Sequence, residues 1–199
     1  MNYPNGIRKK ECVSSAAKEI SYKNRGMSLE GELNDSNDYY REIEKAYIYK
    51  KPTPIKITKV DYPSRDKAII KEAFFTIPST TDYNGLYKGY YIDFEAKETQ
   101  SKTSFSLSNI HPHQIKHLEN IHKNGGIAFL IVRFTTLNET YLLMAKDFLS
   151  FIEEKDRKSI PLTYFKEKGY LLKDTYNPRI DYLKVIENLL EESKWKRGK

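Results

Sequence analysis

Thr80-Thr81-Asp82-Tyr83-Asn84-Gly85-Leu86-Tyr87-Lys88-Gly89-Tyr90-Tyr91-Ile92-Asp93-Phe94-Glu95-Ala96-Lys97 is the stretch from which the rest of the chain can be read. From Tyr91 onward it alternates as a half-buried strand does, with Ile92, Phe94 and Ala96 on one face and Asp93, Glu95 and Lys97 on the other. Two acids and a lysine on one pleated face are costly unless a metal or a substrate phosphate uses them. A two-residue turn at Lys88-Gly89, where glycine supplies the positive φ, folds the stretch into a hairpin that sets Asp82 directly opposite Glu95. Opposed side chains share a face with Cβ atoms roughly 5 Å apart. Two carboxylates at that distance repel unless a divalent cation sits between them, so the pair predicts a hard-metal site with Lys97 beside it to hold or deprotonate a water. Two alternatives compete. Asn84-Gly85 is the stronger turn dipeptide and would pair Asp82 with Tyr87, and Asp93 is a rival second carboxylate on the Glu95 face. The plain alternative to any site is an edge hairpin decorated with charges.

Asp82 followed by Glu95-Ala96-Lys97 matches the D…(D/E)-x-K signature of the restriction-endonuclease-like nucleases. The text from Thr80 to Thr99 resembles the RecU family of Holliday junction resolvases. So do Asn24-Arg25-Gly26-Met27, Leu29-Glu30, Lys50-Lys51-Pro52-Thr53-Pro54, Asp61-Tyr62-Pro63 and His111 to Gln114. The resemblance runs from about residue 24 to about residue 145. It implies a metal-dependent endonuclease that nicks four-way DNA junctions, with Mg²⁺ or Mn²⁺ on Asp82, Glu95 and the Ala96 carbonyl. It also implies supporting roles for Thr80 and Glu30 at the metal, and for Gln114 on a helix flanking the cleft. It further implies a C2 homodimer, matched to the symmetry of the substrate, working beside the RecA recombinase and the RuvAB branch-migration motor. Two other readings are a nuclease of the same fold acting on linear duplex and a non-catalytic, structure-specific DNA-binding protein.

Composition sets the outer bounds. With 199 residues and 39% hydrophobic content, one domain with a sizeable core is expected. Thirty-four basic against twenty-seven acidic residues leave a net charge of +7, which favours a polyanionic partner. The single cysteine, Cys12, excludes an internal disulfide and a thiolate metal cluster. No apolar run approaches the ~18–20 residues that span a bilayer. A soluble cytoplasmic protein acting at the nucleoid is therefore expected.

Residues 1–23 are polar and basic and predict a flexible arm ahead of a nuclease domain over 24–199. Leu29, Leu33, Tyr40, Ile43 and Tyr47 form one helical stripe over 25–49. Glu30 beside it is by itself an ordinary first-turn acid. Ile55 and Ile57, then Val60 and Tyr62, alternate with a break at Thr58-Lys59, which predicts a bulged strand. Pro63 to Asp66 turns it into a return strand ending in Phe74-Phe75. Eight basic residues between Lys45 and Glu72 face three acids. That is an ordinary charged surface hairpin by composition, whereas the resemblance makes residues 53–76 a projecting stalk inserted into the junction. Lys56, Arg65 and Lys71 would then contact phosphates, and Phe75, next to Phe74, would stack on an exposed base.

Thr99 to Asn109, rich in serine and threonine, reads as a loop. His113 and His117 lie one helical turn apart, but Gln114 stands where a zinc protease needs Glu, so surface histidines are the ordinary reading. Ile127 to Phe134 reads as a strand covered on both faces. A neighbouring strand from Tyr141 to Ala145, a helix from Asp147, a short helix over 161–168 ended by Gly169, and a last helix capped by Asp181 follow. The fold class expected is α/β: a mixed sheet flanked by helices, restriction-endonuclease-like, with a projecting hairpin.

Overall fold

The computed structural model describes residues 28–76, 80–154 and 157–197, and for Arg65 and residues 193–197 the backbone alone. The arm expected over 1–23 and the Asn24–Met27 motif lie outside the described residues. Helix α1 (Leu29–Glu42) precedes strand β1 (Tyr47–Lys50), the hairpin β2 (Ile55–Asp61) and β3 (Ile69–Phe75), and the hairpin β4 (Tyr83–Tyr87) and β5 (Tyr90–Thr99). Strand β6 (Ser104–Ser106), helix α2 (Pro112–Lys123) and strands β7 (Ile127–Phe134) and β8 (Glu139–Met144) follow. The chain continues through α3 (Ala145–Glu154), β9 (Ser159–Pro161), α4 (Leu162–Lys168), β10 (Tyr170–Leu172) and α5 (Tyr182–Arg197).

One six-stranded sheet, in the order β1-β4-β5-β7-β8-β10, forms the frame; β5 and β7 are parallel and every other neighbour is antiparallel. The run Ile127 to Phe134 is buried on both faces, as its unbroken apolar text predicts. Phe129 and Ile131 join the core beneath α1 and α5. Ala128, Leu130, Val132 and Phe134 join the core beneath α2, α3 and α4. An aromatic ladder crosses three strands on the first face. Tyr83 stacks on Phe94 at 4.7 Å and Phe94 on Phe129 at 4.8 Å, with Tyr182 of α5 tilted over both. These contacts fix β4 against β5 at the level where the sequence places its acids.

The central hairpin takes the Lys88-Gly89 turn. Both residues have positive φ (48° and 82°), as a type I′ connection requires, and the pairing runs from Tyr87↔Tyr90 to Tyr83↔Phe94. The rival Asn84-Gly85 turn does not form, because Gly85 serves another need. A Cβ there would stand 2.1 Å from Tyr47 O and 2.5 Å from Ile48 Cα, so its bare backbone is what lets β1 lie against β4.

Other differences from expectation have local causes. The first helix stops at Glu42, short of 49: Glu44 turns to φ 54°, and the N–H groups of Lys45 and Ala46 both donate to Tyr40 O. Tyr47 to Lys50 then alternates as a strand, with Ile48 buried and Tyr47 and Tyr49 exposed. The seven-residue step from Tyr40 to Tyr47 only imitated a helical stripe. The expected loop after Thr99 contains β6, whose three residues pair with β9 around the buried Phe105 and Ile160. Three-residue strands, β10 included, carry too few positions for a periodic signal. Beyond these, Pro161 and Gly169 bound α4, and Asp181 Oδ1 accepts from Lys184 N at the head of α5, both as read.

The hairpin β2–β3 forms a sheet of its own. Its register slips at Thr58 on one strand and at Lys71 on the other, and the two slips cancel. Apart from half-buried Val60, every residue of both strands is exposed. No described helix is long and apolar enough to cross a membrane.

Candidate metal and nucleic-acid site

Asp82 and Glu95 stand one step beyond the last paired residues of β4 and β5, and the hairpin register brings them together. Asp82 N donates to Glu95 Oε2 at 3.1 Å. The stretch Thr80 to Asp82 is a bend preceding β4, so the strand ends one residue short of the acid that the hairpin reading placed on it. It is tied to the end of β1, where Lys51 N donates to Asp82 O at 2.7 Å.

Glu95 is fully buried. Its Oε1 accepts from Gln114 Nε2 at 2.7 Å and pairs with Lys97 Nζ at 2.5 Å. Its carboxyl is nevertheless pushed up to about 7, by burial first and by the neighbouring charge of Asp82 second, with Lys97 pulling it back. Asp82 N, Gln114 Nε2 and Lys97 Nζ together thus leave the ionised form of this buried carboxyl costlier than in water. Burial, with smaller contributions from Glu30, Asp82 and Glu95, likewise raises the Tyr83 hydroxyl above its ordinary range.

Gln114 comes from the first turn of α2. Its Oε1 accepts from His111 N at 3.0 Å, which turns its NH₂ toward Glu95. The oxygen expected at a metal is thus committed to the helix cap in this arrangement, and a turn of the amide would exchange the two. His113 and His117 do not share a partner: His117 Nε2 lies 3.1 Å from Asp93 Oδ2, while the His113 ring stacks on His111 at 5.4 Å.

Asp93, the rival carboxylate, is equally buried but already occupied. Lys51 Nζ, Tyr91 OH and His117 Nε2 lie within 2.9–3.1 Å of Oδ2, and the Thr81 hydroxyl donates to Oδ1. Four side-chain donors thus already meet its charge, where Glu95 has one cation and an acidic neighbour. The spacing of Gln114 and His117, three apart on a helix, was the available sign that α2 reaches both buried acids.

Two hollows meet at Asp82. One, of about 250 Å³, lies between the N-terminus of α1 and the end of β5, lined by Glu30, Asp82, Ala96, Lys97 and Glu98 among others. The other, of about 240 Å³, runs toward the root of the outer hairpin past Glu30, Lys51, Pro54, Thr80 and Asp82. Glu30 and Asp82 line both, and Glu30 pairs with Lys50. Glu98 accepts from Leu29 N at 2.7 Å and so ties α1 to β5 beside Glu30.

Among the described residues no three His, Cys, Asp or Glu side chains converge as a metal cluster. The pair Asp82 and Glu95 with a backbone carbonyl instead suits a hard cation that keeps most of its water. The residues assigned to DNA from the sequence sit apart, on the outer hairpin. Lys56 stands opposite Phe74, Lys71 pairs with Asp61 at 3.4 Å, and the backbone of Arg65 opens the turn between the strands. Phe75 is 83% exposed and Phe74 57%.

The profile of the family Recombination protein U (RecU) matches residues 24–188. The chain is 52% identical to a Holliday junction resolvase RecU of Staphylococcus carnosus, over 97% of this chain and 98% of that protein. It is 51% identical to the RecU of Bacillus cytotoxicus, over 94% of this chain and 96% of that one. A solved Holliday junction resolvase, Hjc of Archaeoglobus fulgidus, overlaps it at a TM-score of 0.39 and 10% identity, over 67% of this chain and 90% of that one. A family profile that spans residues 24–188, and half of all positions shared over nearly the full length of both chains, make this chain a member of the RecU family.

Proposed function

We propose that the protein is a metal-dependent endonuclease that resolves four-way DNA junctions. The carrying observation is that buried Glu95 meets Asp82 and Lys97, and that Asp82 lines both hollows, one of which leads to the root of an exposed basic and aromatic hairpin.

Asp82, Glu95 and the Ala96 carbonyl would hold Mg²⁺ or Mn²⁺, a reading supported by a Glu95 carboxyl that burial first, and the charge of Asp82 second, make costly to ionise without a cation. A divalent cation there supplies Lewis acidity to the scissile phosphate and makes an attacking water more acidic. Lys97, 26% exposed and the remaining cation beside the carboxylates, orients that water or faces the charge growing on the phosphate. Gln114 keeps Glu95 aimed, and Thr80 and Glu30 stand at the rim of the same hollow. Lys56, Arg65 and Lys71 contact phosphates of the junction arms, while Phe74 and Phe75 offer faces on which unpaired bases stack.

Two symmetric cuts require two active sites about a two-fold axis, so the working form is a C2 homodimer. It would act at the nucleoid in the cytoplasm, beside the RecA recombinase and the RuvAB motor, a reading supported by membership of the RecU family. The test is a nuclease assay on a four-way junction and a linear duplex with Mg²⁺, with Mn²⁺ and with chelator. Paired nicks confined to the junction and to the metal-containing samples are expected. Cleavage in chelator, or equal cutting of the duplex, would overturn the reading.

A further inference from the structure

Asp93 lies two residues from Glu95 on the same pleated face, has no exposed surface, and takes no part in the chemistry proposed above. Charges buried to this degree are retained where every lone pair is met, and what they hold together is thereby fixed. The donors around Asp93 come from four places. Lys51 Nζ lies at 2.9 Å, Tyr91 OH at 3.0 Å, His117 Nε2 at 3.1 Å, and the Thr81 hydroxyl completes the set.

Lys51 is the telling member. Its Nζ bridges Asp93 and the Thr81 hydroxyl, each at 2.9 Å, and its own N–H donates to Asp82 O at 2.7 Å. It is also the residue at which the chain leaves β1 for the outer hairpin, through Pro52-Thr53-Pro54. Two prolines with fixed φ stiffen that connection. Pro54 O accepts from Thr76 N at 3.0 Å, which closes the hairpin's root. One lysine therefore joins the stem of the outer hairpin to the segment that carries the Asp82 carboxylate, by side chain at Thr81 and by backbone at Asp82 itself.

We propose that Lys51, Thr81 and Asp93 are positioning residues that register the outer hairpin against Asp82, so that the junction is selected in the cutting step as well as in binding. A hairpin seated on a four-way junction then locks Lys51, and through it Asp82, in the cutting position, whereas a linear duplex, which does not seat it, leaves that tie free to open. The inference rests on the reading of Asp82 and Glu95 as the nuclease centre.

The experiment compares wild type with Lys51→Met, Lys51→Arg and Thr81→Val. It reads junction affinity in chelator, single-turnover cutting of junction and duplex in Mg²⁺, and hydrogen exchange of the cation-free protein. Lys51→Met is expected to bind the junction within about threefold of wild type while cutting it roughly 30-fold or more slowly. The Lys51 and Asp82 amides should exchange faster, with those of β7 unchanged, and Lys51→Arg should recover part of both losses. Thr81→Val leaves Asp93 three donors and gives the same readouts if Lys51→Met does not fold. Cutting that falls only in step with affinity, or exchange that quickens across the whole sheet, reduces the network to a fold-holding role and overturns the proposal. Wild-type protein that does not cut at all defeats the nuclease reading instead. A Lys51→Met protein that cuts as well as an active wild type defeats this inference alone.

Discussion

Two antiparallel hairpins follow one another in this chain and have opposite fates. In β4–β5 the turn has its left-handed pair, the register is unbroken, and Tyr83, Ile92, Asp93, Phe94 and Glu95 are buried. In β2–β3 the register slips twice, and Ile55, Ile57, Ile69, Ile70, Phe74 and Phe75 stand exposed. Burial on both faces makes a one-residue slip ruinous in the first, since it would carry every acid into the aromatic core. Among the described residues nothing covers the second, so its bulges cost little and its apolar side chains remain available to a ligand. The inner hairpin is built to hold charges where water cannot relax them, the outer one to be filled by something else.

The largest effect expected from breaking that division is at the inner hairpin's acids. Glu95→Gln should lower metal-dependent cutting of a four-way junction by about a thousandfold or more, with junction affinity in chelator retained. A mutant that cuts at the wild-type rate would remove Glu95 from the site. Next comes a matched pair of truncations read by urea unfolding. Phe94→Ala, in the middle of the aromatic ladder, should cost roughly 3–5 kcal/mol. Phe75→Ala should change stability by less than about 0.5 kcal/mol yet weaken junction binding roughly tenfold more than duplex binding. Equal losses on the two DNAs would reduce Phe75 to generic contact.

A subtler difference is one of pH. In the cation-free chain the Glu95 carboxyl sits at about 7 against an ordinary 4.5. Its protonation therefore favours the folded state most below about 4.5, and that contribution fades as pH rises through about 7. Chelator-treated wild type should lose roughly 1–3 kcal/mol between about pH 5 and pH 8 that Glu95→Gln does not lose. Parallel pH profiles for the two proteins would show that burial leaves Glu95 unshifted. Smallest of all, Lys56→Gln and Lys71→Gln should each reduce the salt dependence of DNA binding by about one counterion, alike on junction and duplex. A change confined to the junction would assign them to its crossover.

Much of the sheet was legible because periodicity two is a local property: Ile92 to Lys97 and Ile127 to Phe134 declare their faces within one strand. The bulge at Thr58 was legible for the same reason, as a break in alternation. The end of α1 was not, because it depends on Glu44 adopting a positive φ that the preceding stripe does not announce. Among the site residues, Asp82, Glu95 and Lys97 could be brought together by counting across a turn. The choice between Glu95 and Asp93 could not be made that way. It depends on donors from residues 51, 81, 91 and 117, which only the folded chain assembles around one carboxylate.

Gly85 has a bearing on how this protein tolerates change. Main-chain atoms of β1 occupy the volume into which any side chain at that position would grow, so even alanine would wedge the edge strand outward, and with it the stem that leads to the outer hairpin. A blind hunt for inactive mutants would thus return this residue alongside the two carboxylates, for a reason that is mechanical and owes nothing to phosphate chemistry.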